Sequence, residues 1–129
     1  MNNDLKTASK NISILIAEDE EGIRDVFEYL LKKMGCIVKL VSDGDEALTA
    51  IDDDDFDIIL SDVHMPRMSG IELCKKIRMR KNISKPMFFF ISGESNLGID
   101  DLDNLDFDGI LQKPFSEQDL LDILNKVGT

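Results

Sequence analysis

The chain has 129 residues, 43% apolar and 32% charged, which suits one domain around one core and excludes a disordered or fibrous chain. Its 26 acidic residues outnumber 15 basic ones, for a formal charge of -11. That balance repels nucleic-acid backbones and anionic lipid, favours a cation or a basic protein patch as partner, and at this length no tethered output module is expected.

Residues 1–11 are polar and lack the apolar stretch of a secretory signal, so they are expected to be a tail on a cytoplasmic domain spanning 12–129. A short β-branched run at 13–17 predicts a strand, and Ile23, Phe27, Leu30 and Met34 follow at helical spacing. A second strand is predicted at 37–41, then a helix carrying Ala47, Leu48 and Ile51 inward. The four carboxylates at 52–55 suit a solvated turn before a third strand at 56–60. Ile71, Cys74 and Ile77 mark a third helix, and 87–91 a fourth strand whose apolar run is far short of the roughly 20 residues of a membrane span. Between 96 and 105 only Leu102 and Leu105 keep the helical period, and Gly98 with its acidic neighbours weakens that helix. A fifth strand is predicted at 109–112. The last helix starts at Ser116, whose hydroxyl can cap it, and turns Leu120, Leu121, Leu124 and Val127 inward. Cys36 and Cys74 sit among apolar residues in no metal-ligand pattern and read as buried thiols.

Strict alternation of apolar strands with helices implies an α/β fold: a single doubly wound (βα)5 domain with a five-stranded parallel sheet. The flavodoxin-like order 2-1-3-4-5 is the common arrangement, with its site at the carboxyl ends of strands one and three. At those ends stand Glu18, Asp19, Glu20 and Asp62, with Ser92 after strand four and Lys113 after strand five. Crowded carboxylates demand a counter-charge. A hard divalent cation meets it: magnesium, with manganese as a substitute, needs only two carboxylates and a backbone carbonyl because it keeps several waters. One carboxylate can then attack phosphorus, and the phosphoryl oxygens find donors in a lysine and a hydroxyl. Asp62, Lys113 and Ser92 suit those roles.

The run Glu18-Asp19-Glu20, the stretch from Asp57 to Pro66 followed by Gly70, then Ser92-Gly93 and Lys113-Pro114-Phe115, resembles a response-regulator receiver domain of the CheY-like kind. The resemblance implies that Asp62 is the phosphoacceptor, that Asp19, Asp62 and the carbonyl of His64 bind magnesium, and that Glu18 acts through a metal-bound water. It implies that Ser92 reaches the phosphoryl group, that Lys113 pairs with the aspartate or its phosphate, and that Lys113-Pro114 is cis. Glu18 stands where aspartate is more usual. His64 falls beside the approach of the hydrolytic water. Ile110 stands where the family often carries an aromatic switch, which leaves the 96–105 segment to carry the readout. The acidic residues Asp100, Asp101, Asp103, Asp106 and Asp108 on that side favour a monomer that meets a basic patch on a separate downstream protein.

The expected donor is a histidine kinase or a phosphotransfer protein. Two enzyme readings compete. A flavodoxin-like protein needs a hydroxyl-rich phosphate loop after strand one, but residues 18–22 are acidic. A phosphohydrolase with an aspartate nucleophile wants a second acid two residues on, where His64 stands. A receiver cut from a hybrid kinase or longer regulator stays open beside the single-domain form.

Overall fold

Three helices of this chain begin at side chains that accept a backbone N–H the first turn would otherwise leave unpaired. Asp43 accepts from the Glu46 amide at 2.9 Å and Ser69 from the Glu72 amide at 3.1 Å. Ser116 accepts from the Asp119 amide at 3.1 Å, and Asp119 returns the bond to the Ser116 amide at 2.9 Å. The computed structural model describes residues 11–81, 84–93, 102 and 104–127. In chain order these form β1 (Ser13–Ala17), α1 (Glu21–Lys33), β2 (Ile37–Val41), α2 (Gly44–Asp53), β3 (Ile58–Asp62), α3 (Gly70–Arg78), β4 (Met87–Ser92), β5 (Gly109–Gln112) and α4 (Glu117–Leu124).

The strands pair in parallel in the order β2-β1-β3-β4-β5, the flavodoxin-like arrangement anticipated from the alternation. Successive strand residues point to opposite faces, and here both sets are apolar. Ile14, Ile16, Ile58, Leu60 and Phe89 pack against Phe27 and Leu31 of α1 and Leu120 and Leu124 of α4. Leu15, Ala17, Ile59, Phe88 and Phe90 pack on the other side against Ala47 and Ile51 of α2 and Leu73, Cys74 and Ile77 of α3. Both cysteines are buried and outside any disulfide, and burial raises each thiol to about 11.

The third strand starts and ends two residues later than its hydrophobic pattern. Apolar character stops at Leu60, but the ladder continues: Ser61 pairs with Ala17 and Phe90, and Asp62 with Ile91. Part of the 52–55 acidic run is correspondingly the last turn of α2, where Asp52 pairs with Arg80 at 3.2 Å. Of the weak 96–105 helix, Leu102 is buried and helical and Leu105 donates its N–H to the Leu102 carbonyl at 3.0 Å. Residues 96–101 and 103 of that segment, which include Asp100, Asp101 and Asp103, lie outside the described residues, as do residues 1–10 of the tail.

Asp106 and Asp108 are not the free acidic surface that their spacing suggested. Arg78, at the end of α3, donates to the carbonyls of Asp106 and Pro86 at 2.7 Å each and lies 3.4 Å from Asp108. Asp106 also pairs with Lys85 at 2.7 Å, and Asp108 accepts from the Phe88 amide at 2.7 Å. Both carboxylates thus tie together the loops that enter β4 and β5. No helix among the described residues is long and apolar enough to cross a membrane.

Candidate functional site

With β1 between β2 and β3, the chain leaves strands one and three side by side, and their carboxyl ends deliver acidic side chains to one rim. Glu18 continues β1 by one step, donating its N–H to the Val41 carbonyl at 3.0 Å, and this extension carries its side chain into full burial. Arg24, on the first turn of α1, reaches back to the Glu18 carbonyl at 2.7 Å. Asp62 ends β3, and its own carbonyl is pinned. The Ser61 hydroxyl donates to it at 2.9 Å, and a Cβ on Gly70 would lie only 2.1 Å from it. Only glycine lets α3 start this close to the strand end.

One carboxylate oxygen from each of Glu18, Asp19 and Asp62 falls within 4.8 Å of the others. Against them stands Lys113, its Nζ 3.4 Å from Glu18 Oε1 and 3.8 Å from both Asp62 Oδ2 and Glu20 Oε1. Lys113 is held from two sides. Its amide donates to the Ser92 carbonyl at 2.8 Å, and after the cis Lys113-Pro114 bond Phe115 stacks on Phe27 of α1 at 4.7 Å.

Burial dominates the electrostatics. It raises Glu18 from 4.5 to about 7, against the Glu20 N–H that lowers it, while the Asp62 charge raises it and Lys113 lowers it. Asp62 is also raised, again by burial first, with Lys113, Glu18 and the His64 N–H pulling it down and Asp19 pushing it up. Glu18 Oε2 accepts from the Glu20 amide at 3.1 Å. Its Oε1 is the buried side-chain oxygen among the described residues left without a hydrogen-bond donor; the nearby ammonium acts on it as a charge. An orphaned buried oxygen within a set of hard oxygen donors fits a hard divalent cation.

The expected site residues therefore separate into two groups. Glu18, Asp19, Asp62 and Lys113 converge directly. Ser92 is buried at the end of β4, one step past the Ile91 that pairs with Asp62. His64 lies two residues beyond Asp62 with an exposed side chain. Glu20 was named from sequence within the acidic run but given no role, and Arg24 was not singled out. An arginine one turn into the helix after an acidic run was the available signal.

Residues 14–125 match the family model described as the response regulator receiver domain. The sensory transduction protein RegX3 of Mycobacterium tuberculosis is 36% identical over 111 residues, covering 84% of this chain and 47% of that protein. The alkaline phosphatase synthesis transcriptional regulatory protein PhoP of Bacillus subtilis is 34% identical over 114 residues, 85% of this chain and 45% of its own length. The chain thus spans about half the length of the curated relatives it matches. Among solved structures, the chemotaxis response regulator CheY4 of Vibrio cholerae superposes with a TM-score of 0.83 at 30% identity, covering 92% of this chain and 99% of that one. The receiver domain of the sensor histidine kinase PA1611 from Pseudomonas aeruginosa, solved with a magnesium ion coordinated in its active-site cleft, gives 0.83 at 26% identity, covering 91% and 97%.

Proposed function

The chain belongs to the response regulator receiver domain family of two-component signalling, and on that premise we propose that Asp62 accepts a phosphoryl group from a histidine kinase or phosphotransfer protein in a magnesium-dependent reaction. The observation that carries this is the meeting of Glu18, Asp19 and Asp62 within 4.8 Å, with the Lys113 ammonium beside them.

Asp19, Asp62 and the His64 carbonyl would hold the magnesium, and Glu18 would act through water. Bound there, the ion supplies the positive charge that lets a carboxylate approach an anionic phosphoryl group. An Asp62 oxygen forms the new O–P bond as phosphorus separates from the donor's leaving group, which keeps the electron pair. Lys113 balances charge that accumulates on the phosphoryl oxygens, and the Ser92 hydroxyl donates a hydrogen bond to one of them. The PA1611 receiver, with its magnesium, supports the ion assignment by likeness. The module signals and is not a conventional enzyme. Its output passes by contact with a protein that carries a basic surface, suited to a chain of charge -11. RegX3 and PhoP, each matched over less than half its length, favour a second form of this reading in which the output is joined to the receiver in a longer chain.

Incubation with acetyl phosphate tests the assignment by intact mass. One added phosphoryl group is expected with magnesium, none in EDTA, and none in Asp62→Asn, whose circular dichroism should match wild type because the amide keeps the shape but not the nucleophile. Full labelling of Asp62→Asn would overturn it.

A further inference from the structure

The seven residues between β3 and α3 are held at more points than a surface loop requires. At one end the Gly70 amide donates to the Val63 carbonyl at 2.8 Å. At the other, Met68 is buried against the start of α2, where a Cβ on Gly44 would lie 2.8 Å from the Met68 Cβ. Between them Arg67 adopts a φ of 67°, and the Met68 amide donates across it to the Pro66 carbonyl at 2.7 Å. That three-residue turn is uncommon and costly for a side chain with a Cβ, and such a turn persists only where its surroundings impose it.

An ion pair spans this turn. Arg67 Nη2 donates to Asp43 Oδ2 at 2.5 Å, and Asp43 Oδ1 takes the Glu46 amide as the cap of α2. Arg67 itself is 68% exposed, which would ordinarily make the pair worth little. Its partner decides otherwise. Asp43 is 3% exposed, so loss of the guanidinium would leave a buried carboxylate with its charge uncompensated.

We propose that Arg67 is a positioning residue: its ion pair with buried Asp43 holds the strained turn after Asp62 and so fixes His64 and the Asp62 strand end for the metal and phosphoryl site. The proposal rests on the phosphoacceptor reading and adds a residue 24 positions from its partner that touches no reacting atom. A plain stabilising ion pair and a clasp on a strained turn make different demands at position 67. Glycine adopts a φ of 67° freely, whereas alanine keeps the strain and loses the clasp.

The test compares wild type, Arg67→Ala, Arg67→Gly and Asp43→Asn in the full chain. Asparagine keeps the helix cap and removes only the charge. Amide exchange at Met68 and Gly70 reports the turn without metal, and calorimetric titration with magnesium chloride reports the site. Arg67→Ala and Asp43→Asn are expected to speed exchange at both amides and weaken magnesium about tenfold, while Arg67→Gly stays within about twofold of wild type. Equal losses in the alanine and glycine variants would reduce the pair to a plain ion pair and overturn the proposal. So would magnesium affinity unchanged in every variant. A wild-type chain that neither binds magnesium nor labels at Asp62 would sink the phosphoacceptor reading, and the clasp with it.

Discussion

Glu18→Gln removes an ionisable group that this fold buries completely beside two other carboxylates. Folding raises Glu18 from 4.5 to about 7, so between those values the folded chain holds a proton that the unfolded chain has released. The stability this provides is fully present below pH 4.5 and is lost as pH rises through 7. At about 1.4 kcal/mol for each pH unit, the loss amounts to roughly 3 kcal/mol. Glutamine has no proton to lose. Its carbonyl can still accept from the Glu20 amide, and its NH2 can donate to Asp62. In EDTA the variant should match wild type near pH 4 and exceed it by about 3 kcal/mol at pH 8, about 10 °C in Tm for a domain of this size. The chain has no tryptophan, so urea unfolding followed by far-ultraviolet circular dichroism is the assay, with an unchanged slope against urea as the check on two-state behaviour. Saturating magnesium should close the gap by stabilising wild type more than the variant. Parallel stability curves from pH 5 to 8, or a variant less stable than wild type at pH 8, would refute the burial argument.

Magnesium affinity should fall as pH drops below 7, approaching tenfold per pH unit, because the ion and the Glu18 proton compete for the same charge; calorimetry showing equal affinity at pH 6 and 8 would contradict this. Gly70→Ala should cost about 3 kcal/mol, since its Cβ meets the Asp62 carbonyl at 2.1 Å and neither backbone can yield easily. Urea unfolding within 0.5 kcal/mol of wild type, about the range of ordinary surface substitutions, would show that the strand end relaxes.

Much of the fold was legible because it depends on short windows. The strands at 13–17, 37–41 and 109–112 coincide with β1, β2 and β5, since each is an apolar run closed by polar residues. Ser116 was legible as a cap for the same reason, its partner Asp119 being three residues away. Where the hydrophobic pattern and the backbone ladder part, the pattern misleads: β3 runs on through Ser61 and Asp62 because β1 and β4 pair with it there. Leu73 was passed over beside Cys74, yet it is fully buried, because α3 packs a broader face on the sheet than a three-residue spacing marks.

The candidate site divides along the same line. Glu18, Asp19, Asp62, Ser92 and Lys113 could be named because strand order alone brings strand ends together, and strand order follows from the alternation of elements. Their energetics could not. Glu18 titrates near 7 because β1 extends one residue further along Val41 and buries the carboxyl, a detail of register that no local window contains. Asp106 and Asp108 looked like free surface for a matching reason: Arg78 meets them from 28 and 30 residues away. Asp43 caps α2 with one oxygen, and the fold brings Arg67 to the other from 24 residues away. In each case composition indicates that a charge is present, and only the partner brought by the fold decides whether it is solvent-facing, structural or part of the chemistry. An acidic chain of this kind therefore reveals its reacting groups by position and its restraints only by contact, which is why a test of Arg67 against Asp43 probes something that the motif residues do not encode.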